Sequence, residues 1–280
     1  MQSNATHREI TYWNIDMAPK EFDVTDKVVF VTGAGRGIGK GIAQVFAEAS
    51  ADVAINALTP NYVTGMAEAL AAETGRAVVP VIGDVTKAEG AQRAIDQVLE
   101  RFGRIDVLIN ALGDSLRAPL VGLPGSEGEA EGISDSDLDF IMDINLTEAL
   151  VCTRAVGPYM LARRAGKVIN ISSWTALQGG GEMVLYTTAK TALSGFTRAQ
   201  ALEWAPYGIH VNCIAPGLFP DVVTGGEERV RKSEERAKRE VPLGRTGQLK
   251  EVGYLALYLA SSASDYMTGQ TLMLDGGLSL

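Results

Sequence analysis

Cysteine and histidine are scarce in this chain of 280 residues: Cys152, Cys213, His7 and His210 are all there are. So few argue against a disulfide framework and a zinc cluster, and both cysteines sit in apolar runs as small core residues do. Positive charge is also short. Lys and Arg number 25 against 34 Asp and Glu, a net charge of −9. Nucleic acid and an anionic membrane surface are poor partners for such a chain, so an anionic ligand would need local devices such as helix N-termini. No apolar run reaches membrane-spanning length and no signal-peptide core opens the sequence, which points to a cytoplasmic protein.

What is present is apolar material and glycine. Hydrophobic residues make up 46% of the chain, enough for a substantial core, and the 31 glycines cluster where backbone must turn or approach a ligand. Residues 1–22 show no clean period and read as an N-terminal arm. From residue 23 to 280 short apolar runs alternate with helical periods, without a linker to divide domains. The runs are Lys27–Gly33, Asp52–Asn56, Val78–Ile82, Ile105–Ile109, Lys167–Ser172, Ile209–Ile214 and Gln270–Leu274. The first of them lacks inside–outside alternation, as a strand buried on both faces does. The expected fold is α/β: a Rossmann-like, doubly wound parallel sheet of about seven strands with helices on both faces. Two stretches interrupt it, an irregular substrate loop over 114–137 and a charged segment over 220–240.

Two stretches carry chemistry. Thr32-Gly-Ala-Gly-Arg-Gly-Ile-Gly39 joins the first strand to its helix, where glycines admit a pyrophosphate and free N–H groups meet it. Gly33, Arg36, Gly37, Ile38 and Gly39 are the candidate cofactor residues there. The second stretch runs from Ser173 to Lys190. Tyr186 and Lys190 stand four apart, so a helix sets them on one side about one turn (~5.4 Å) apart. An ammonium there favours phenolate and should pull the Tyr pKa below its usual ~10. Ser173, at the strand end, can hydrogen-bond the same reacting oxygen.

Together the two motifs resemble the short-chain dehydrogenase/reductase family in its single-domain branch, near its 3-oxoacyl reductases and polyol dehydrogenases. Further landmarks follow in family order: Asp84-Val85 after the third strand, Asn110-Ala-Leu-Gly113 after the fourth, Asn145 in the next helix, Asn212-Cys-Ile-Ala-Pro-Gly217 after the sixth strand, and Asp275-Gly-Gly277 near the end. The resemblance implies an NAD(P)-dependent oxidoreductase interconverting a ketone and a secondary alcohol. Tyr186 would be general acid/base, Ser173 would hold the substrate oxygen, Lys190 would bind the nicotinamide ribose, and Asn145 would hold a relay water. Asp84, Val85, Asn110, Ala111, Gly113, Pro216, Gly217 and Phe219 would complete the cofactor site, with Tyr186 and Lys190 touching its nicotinamide end.

Where NAD-binding relatives carry an acidic residue after the second strand, this chain has Ala57, and Arg36 can pair with a 2′-phosphate. NADP(H) is therefore favoured over NAD(H). A second departure is Asp221, where many relatives carry a hydroxyl that helps hold the nicotinamide amide. The substrate residues are taken as Asp114, Trp174, Glu182, Met183 and Leu218. A 3-oxoacyl-type ketone, a small cyclic ketone and a sugar acid or polyol all fit them. The resemblance also implies a homotetramer or homodimer, and a lid over 220–240 hinged at Gly225-Gly226. That lid's apolar residues are few, so it is expected to order only over bound cofactor and ketone. Its charges suggest the pairs Glu227–Arg231, Glu234–Lys238 and Glu235–Arg239. Two rival readings stand beside the enzyme: a catalytically silent dinucleotide-binding regulator, and an epimerase or dehydratase on a related fold.

Overall fold

Each strand expected from an unbroken apolar run is a strand in the computed structural model, which describes residues 19–122 and 132–280. Expectations placed on residues 1–18 and 123–131, within the arm and the substrate loop, lie outside the described residues. The strands are β1 (Val28–Val31), β2 (Asp52–Ala57), β3 (Val78–Ile82), β4 (Val107–Asn110), β5 (Gly166–Ile171), β6 (Ile209–Pro216) and β7 (Thr271–Leu274). They form one sheet in the order β3-β2-β1-β4-β5-β6-β7, and every neighbouring pair is parallel.

The helices are α1 (Gly37–Glu48), α2 (Thr64–Thr74), α3 (Ala88–Phe102), α4 (Asp135–Met142), α5 (Glu148–Arg163), α6 (Thr175–Gln178), α7 (Val184–Trp204), α8 (Val222–Glu240) and α9 (Leu249–Ala260). Strand β1 shows why alternation is missing. Val29 and Val31 pack with Ile42 and Phe46 of α1 and Val252 and Leu259 of α9. Val28 and Phe30 pack on the opposite face with Ile95 of α3, Val156 and Met160 of α5, and Trp204 of α7. Two cores, one on each side, make every position of a central strand apolar.

Local signals set the helix ends. Ser134 caps α4 in a capping box with Asp137, starting that helix at Asp135. Between α4 and α5 the chain makes a π-helical turn over Asp143–Thr147, and Asn145 lies inside it. The end of the expected arm is docked. Lys20–Phe22 forms a short turn whose Phe22 ring lies 5.9 Å from that of Tyr258, and Ser262 Oγ donates to the Glu21 carbonyl.

Helices α1 and α9 approach through paired glycines. A Cβ at Gly41 would stand 2.6 Å from the Leu249 backbone, and one at Gly253 would stand 2.6 Å from Val45 Cγ2. Gly253→Ala should therefore destabilise the protein by about 1–3 kcal/mol, the cost of overpacking. Gly65→Ala in α2, where an added Cβ meets nothing within 4 Å, should be neutral or stabilising by up to about 1 kcal/mol. Equal denaturant midpoints for the two variants would refute close packing at α1–α9.

Candidate active site

The strand order reverses between β1 and β4, so the loops leaving these two strands diverge and open a crevice at their carboxyl ends. The glycine loop lines one wall. A Cβ at Gly33 would lie 2.8 Å from Leu112 Cα, and one at Gly39 would lie 2.6 Å from the Gly33 carbonyl oxygen. Gly37, at φ +56°, is the first residue of α1, so the helix N-terminus opens at this turn. Thr32 ties the loop to the neighbouring strand: its Oγ1 accepts from Ala111 N at 2.9 Å and donates to the Ile109 carbonyl. A backbone cradle that side chains would fill, opening on a helix N-terminus, suits a dinucleotide pyrophosphate.

The other wall brings together the four expected catalytic residues. Ser173 follows β5 and is buried. Its Oγ accepts from Thr175 N and Thr175 Oγ1, at 3.3 and 3.0 Å. Ser172 faces away, donating to the Lys190 carbonyl as a structural serine. Tyr186 and Lys190 lie one turn apart in α7, with Lys190 Nζ 5.9 Å from the Tyr186 ring centre. That ammonium is buried and donates to the Ile171 carbonyl at 2.9 Å. Asn145 Nδ2 donates to the carbonyls of Asp114 and Ile141, at 2.8 and 3.0 Å, while its buried Oδ1 has no partner. Gly113 separates the two walls: a Cβ there would be 2.9 Å from Asn145 Oδ1 and 3.2 Å from Lys190 Nζ.

The charges differ from the expectation in one respect. Tyr186 has its pKa raised, not lowered: burial is the chief cause, a hydrogen bond with Ser173 opposes it, and the charge of Asp114 adds to it. Lys190 does not offset this, because its ammonium lies beside the ring and is bonded to the Ile171 carbonyl. Burial also lowers the Lys190 pKa to about 8, against the opposing charges of Glu148 and Cys213. Glu148, unremarked in the sequence, is fully buried at the start of α5. Its carboxyl is pushed up to about 7 by burial, against the pull of Thr32, Lys190 and Cys152. The signal was available: it stands one turn after Asn145 on a face that continues with Ala149 and Cys152.

The remaining candidates divide by position. Asn110 spends its amide inside the packing, donating to Asn170 Oδ1 at 2.8 Å and Thr153 Oγ1 at 3.2 Å. Val85 is a core side chain. Asp84 is exposed, its Oδ1 accepting from Thr86 N and Oγ1. Ile38 and Phe219 pack partly against the core, with Phe219 over Gly247, and Gly217 N donates to the Leu274 carbonyl. Pro216 ends β6, and its carbonyl accepts from Trp174 N at 3.0 Å. Leu218 and Phe219 line a small cavity with Val241 and Leu274. Met183 precedes α7, and Glu182, at φ +57°, ties the substrate loop through its carbonyl to Ala118 N. Arg36 lies 5.8 Å over the Tyr62 ring, a neighbour missed in the sequence, and Ala57 borders the same corner through Gly35.

The charged segment is helix α8, kinked at Gly226 (φ +70°) where a hinge was expected. Its ion pairs are Glu228–Lys232, Arg231–Glu235 and Arg236–Glu240, rather than the three expected. Arg231 has a glutamate four residues away on either side and takes the later one. Arg236 lies 5.7 Å over the Trp174 ring, and Ala237 is fully buried. The helix thus has anchors that its exposed valines, Val222 and Val223, did not suggest.

Glu148 makes stability depend on pH. Its folded pKa of about 7 exceeds its unfolded value of 4.5. The stability it contributes is therefore complete below pH 4.5 and lost as pH rises through 7, on the order of 3 kcal/mol. Lys190, lowered from 10.5 to about 8, acts in a separate, more alkaline window. Glu148→Gln removes the first effect, so the wild type's stability advantage over it should shrink between about pH 4.5 and 7. A pH-independent difference in thermal midpoint would show that the carboxyl is not protonated on folding.

Comparison with known proteins agrees with this geometry. The profile of a family described as enoyl-(acyl carrier protein) reductase matches residues 33–279. The 2-dehydro-3-deoxy-D-gluconate 5-dehydrogenase of Bacillus subtilis is 34% identical over 261 residues, 91% of this chain and 96% of that one. The 3-oxoacyl-[acyl-carrier-protein] reductase of Thermotoga maritima is 33% identical over 252 residues, 90% of this chain and 97% of that one. Among solved structures, a gluconate 5-dehydrogenase from Burkholderia cenocepacia in complex with NADP and tartrate matches with a TM-score of 0.83 at 33% identity, covering 93% of this chain and 98% of that one. With likenesses that run nearly the length of both partners, the chain belongs to the short-chain dehydrogenase/reductase family and is an NAD(P)-dependent oxidoreductase.

Proposed function

We propose that the protein interconverts a ketone and a secondary alcohol, with Tyr186 as general acid/base. The observation that carries this is the convergence of Lys190 Nζ and Asn145 Oδ1 on Gly113, beside Tyr186 and Ser173. The dinucleotide, when bound, supplies or accepts the hydride. Tyr186 gives its proton to the carbonyl oxygen in reduction, and a raised pKa keeps the phenol protonated for that step. Ser173 holds the same oxygen. Lys190 orients the ribose, and Asn145 Oδ1 accepts from a relay water. Gly33, Arg36, Gly37, Ile38 and Gly39 would hold the phosphates. Asp84 and Val85 would border the adenine, and Ala111, Gly113, Pro216 and Gly217 the nicotinamide end. The relatives' names favour neither a silent regulator nor an epimerase.

The substrate we favour is a sugar acid. Trp174 borders Ser173 and carries the Arg236 guanidinium above its ring, while Asp114 and Glu182 are exposed nearby. Such polar surroundings suit hydroxyl and carboxylate groups better than a long acyl chain, and two similar enzymes are named for gluconate or its derivatives. Residues 114–137 and 220–240 would close over it. A second copy is the natural cover for the α5–α7 face, where the exposed Leu150 lines a cavity of about 530 Å³ with Leu161, Phe196 and Trp204. The free, buried Cys152 and Cys213 suit the cytoplasm.

Tyr186→Phe should lower turnover of gluconate with NADP⁺ at least ~100-fold. Dinucleotide affinity should stay near wild type, because only the proton donor is lost. Retention of more than about a tenth of the activity, ~1.4 kcal/mol of barrier, would rule out the acid/base role.

NADPH should bind about tenfold tighter than NADH, because Arg36 and Tyr62 border a corner where Ala57 brings no carboxylate. Ala57→Asp should reverse the preference by repelling the 2′-phosphate and accepting from ribose hydroxyls. Tighter NADH binding by the wild type would refute the assignment.

A further inference from the structure

The chain places one of its own carboxylates on the glycine loop. Asp221 Oδ2 accepts from Gly37 N at 3.0 Å, across 184 residues of sequence. The same oxygen accepts from Thr224 N at 3.2 Å and from Thr224 Oγ1 at 2.8 Å, capping α8. Thr224 Oγ1 in turn lies 3.8 Å from where a Cβ of Gly37 would be. The start of the lid helix therefore sits directly on the first turn of α1. Gly37 opens that turn, where N–H groups have no partner within the helix and the positive end of the dipole draws an anion.

We propose that Asp221 is an internal competitor for the dinucleotide pyrophosphate, and that it sets cofactor affinity by latching the lid over the glycine loop. The proposal rests on the dinucleotide reading of this loop. Two anions cannot share one helix N-terminus without repulsion, so cofactor entry requires the carboxylate to leave Gly37. Displacement frees the beginning of α8. Gly226, at φ +70° five residues after Asp221, lets that first turn swing while Arg236 and Ala237 stay anchored.

Two variants test the latch by fluorescence titration of NADPH and by hydrogen exchange. Asp221→Asn removes the charge and keeps the size; Asp221→Ser keeps a capping hydroxyl but cannot reach Gly37. Both should bind NADPH about tenfold tighter than wild type. In the free protein, residues 222–226 should exchange faster in Asp221→Ser. ADP-ribose, which carries the pyrophosphate without nicotinamide, should show the same gain in affinity; adenosine should show none. Unchanged or weaker NADPH binding by both variants would overturn the proposal. So would tightening by Asp221→Ser alone, which would mark a new hydroxyl contact. Failure of the wild type to bind either dinucleotide would instead refute the dinucleotide reading itself.

Discussion

The site is organised around one buried ammonium. Lys190 Nζ sits below the end of β5, fixed to the Ile171 carbonyl at 2.9 Å. A lysine buried this fully is costly unless something offsets the desolvation, and here its pKa falls to about 8 although Glu148 opposes the shift. Its position constrains what surrounds it. Glycine at 113 leaves both groups in place, because a Cβ there would stand 3.2 Å from the ammonium and 2.9 Å from Asn145 Oδ1 and displace them. Tyr186 must lie one turn away, since α7 carries both. Helix α7 is thus tied to β5 beside the crevice that β1 and β4 open, where fixed chemistry is needed.

The same corner concentrates unpaired polar atoms. Of the seven buried side-chain atoms without a partner among the described residues, those of Asn110, Asn145, Glu148 and Thr187 belong to residues in or next to this site. The other three, on Arg76, His210 and Thr271, lie away from it, while the amide nitrogens of Asn110 and Asn170 are paired in a chain that ends at Thr197. Leaving an acceptor such as Asn145 Oδ1 bare costs about 1–3 kcal/mol. That cost is tolerable where a water or a ligand donor completes the set, which is the physical content of an expected relay.

Much of this was legible in the sequence, for a definite reason. A parallel sheet covered on both faces turns a central strand into a continuous apolar run, as in Val28–Val31 of β1 and residues 107–109 of β4. Helical spacing likewise placed Tyr186 beside Lys190. Spacing reports neighbours and not dielectric, however, so the sign of the Tyr186 shift was lost: burial raises it, and only the Ser173 hydrogen bond opposes. Glu148 was overlooked because an acidic residue at a helix start usually reads as a solvated first turn, and only the packing of α5 on β4 shows it enclosed. The ion pairs of α8 were misassigned because Arg231 has a partner at equal spacing on either side, and sequence does not choose between them.

What sequence could not supply at all is contact across the fold. Asp221 meets Gly37, and Arg236 meets Trp174, only because β6 returns the chain to the crevice that β1 and β4 open. Both contacts come from one helix, but they fall on opposite sides of the Gly226 kink. The part before the kink touches the cofactor loop, and the part after it touches the residue beside Ser173. A single segment therefore reaches both the glycine loop and the proposed substrate side, from either side of one kink. Under the proposed latch, that arrangement would link cofactor entry to the shape of the substrate site without any change in the sheet beneath.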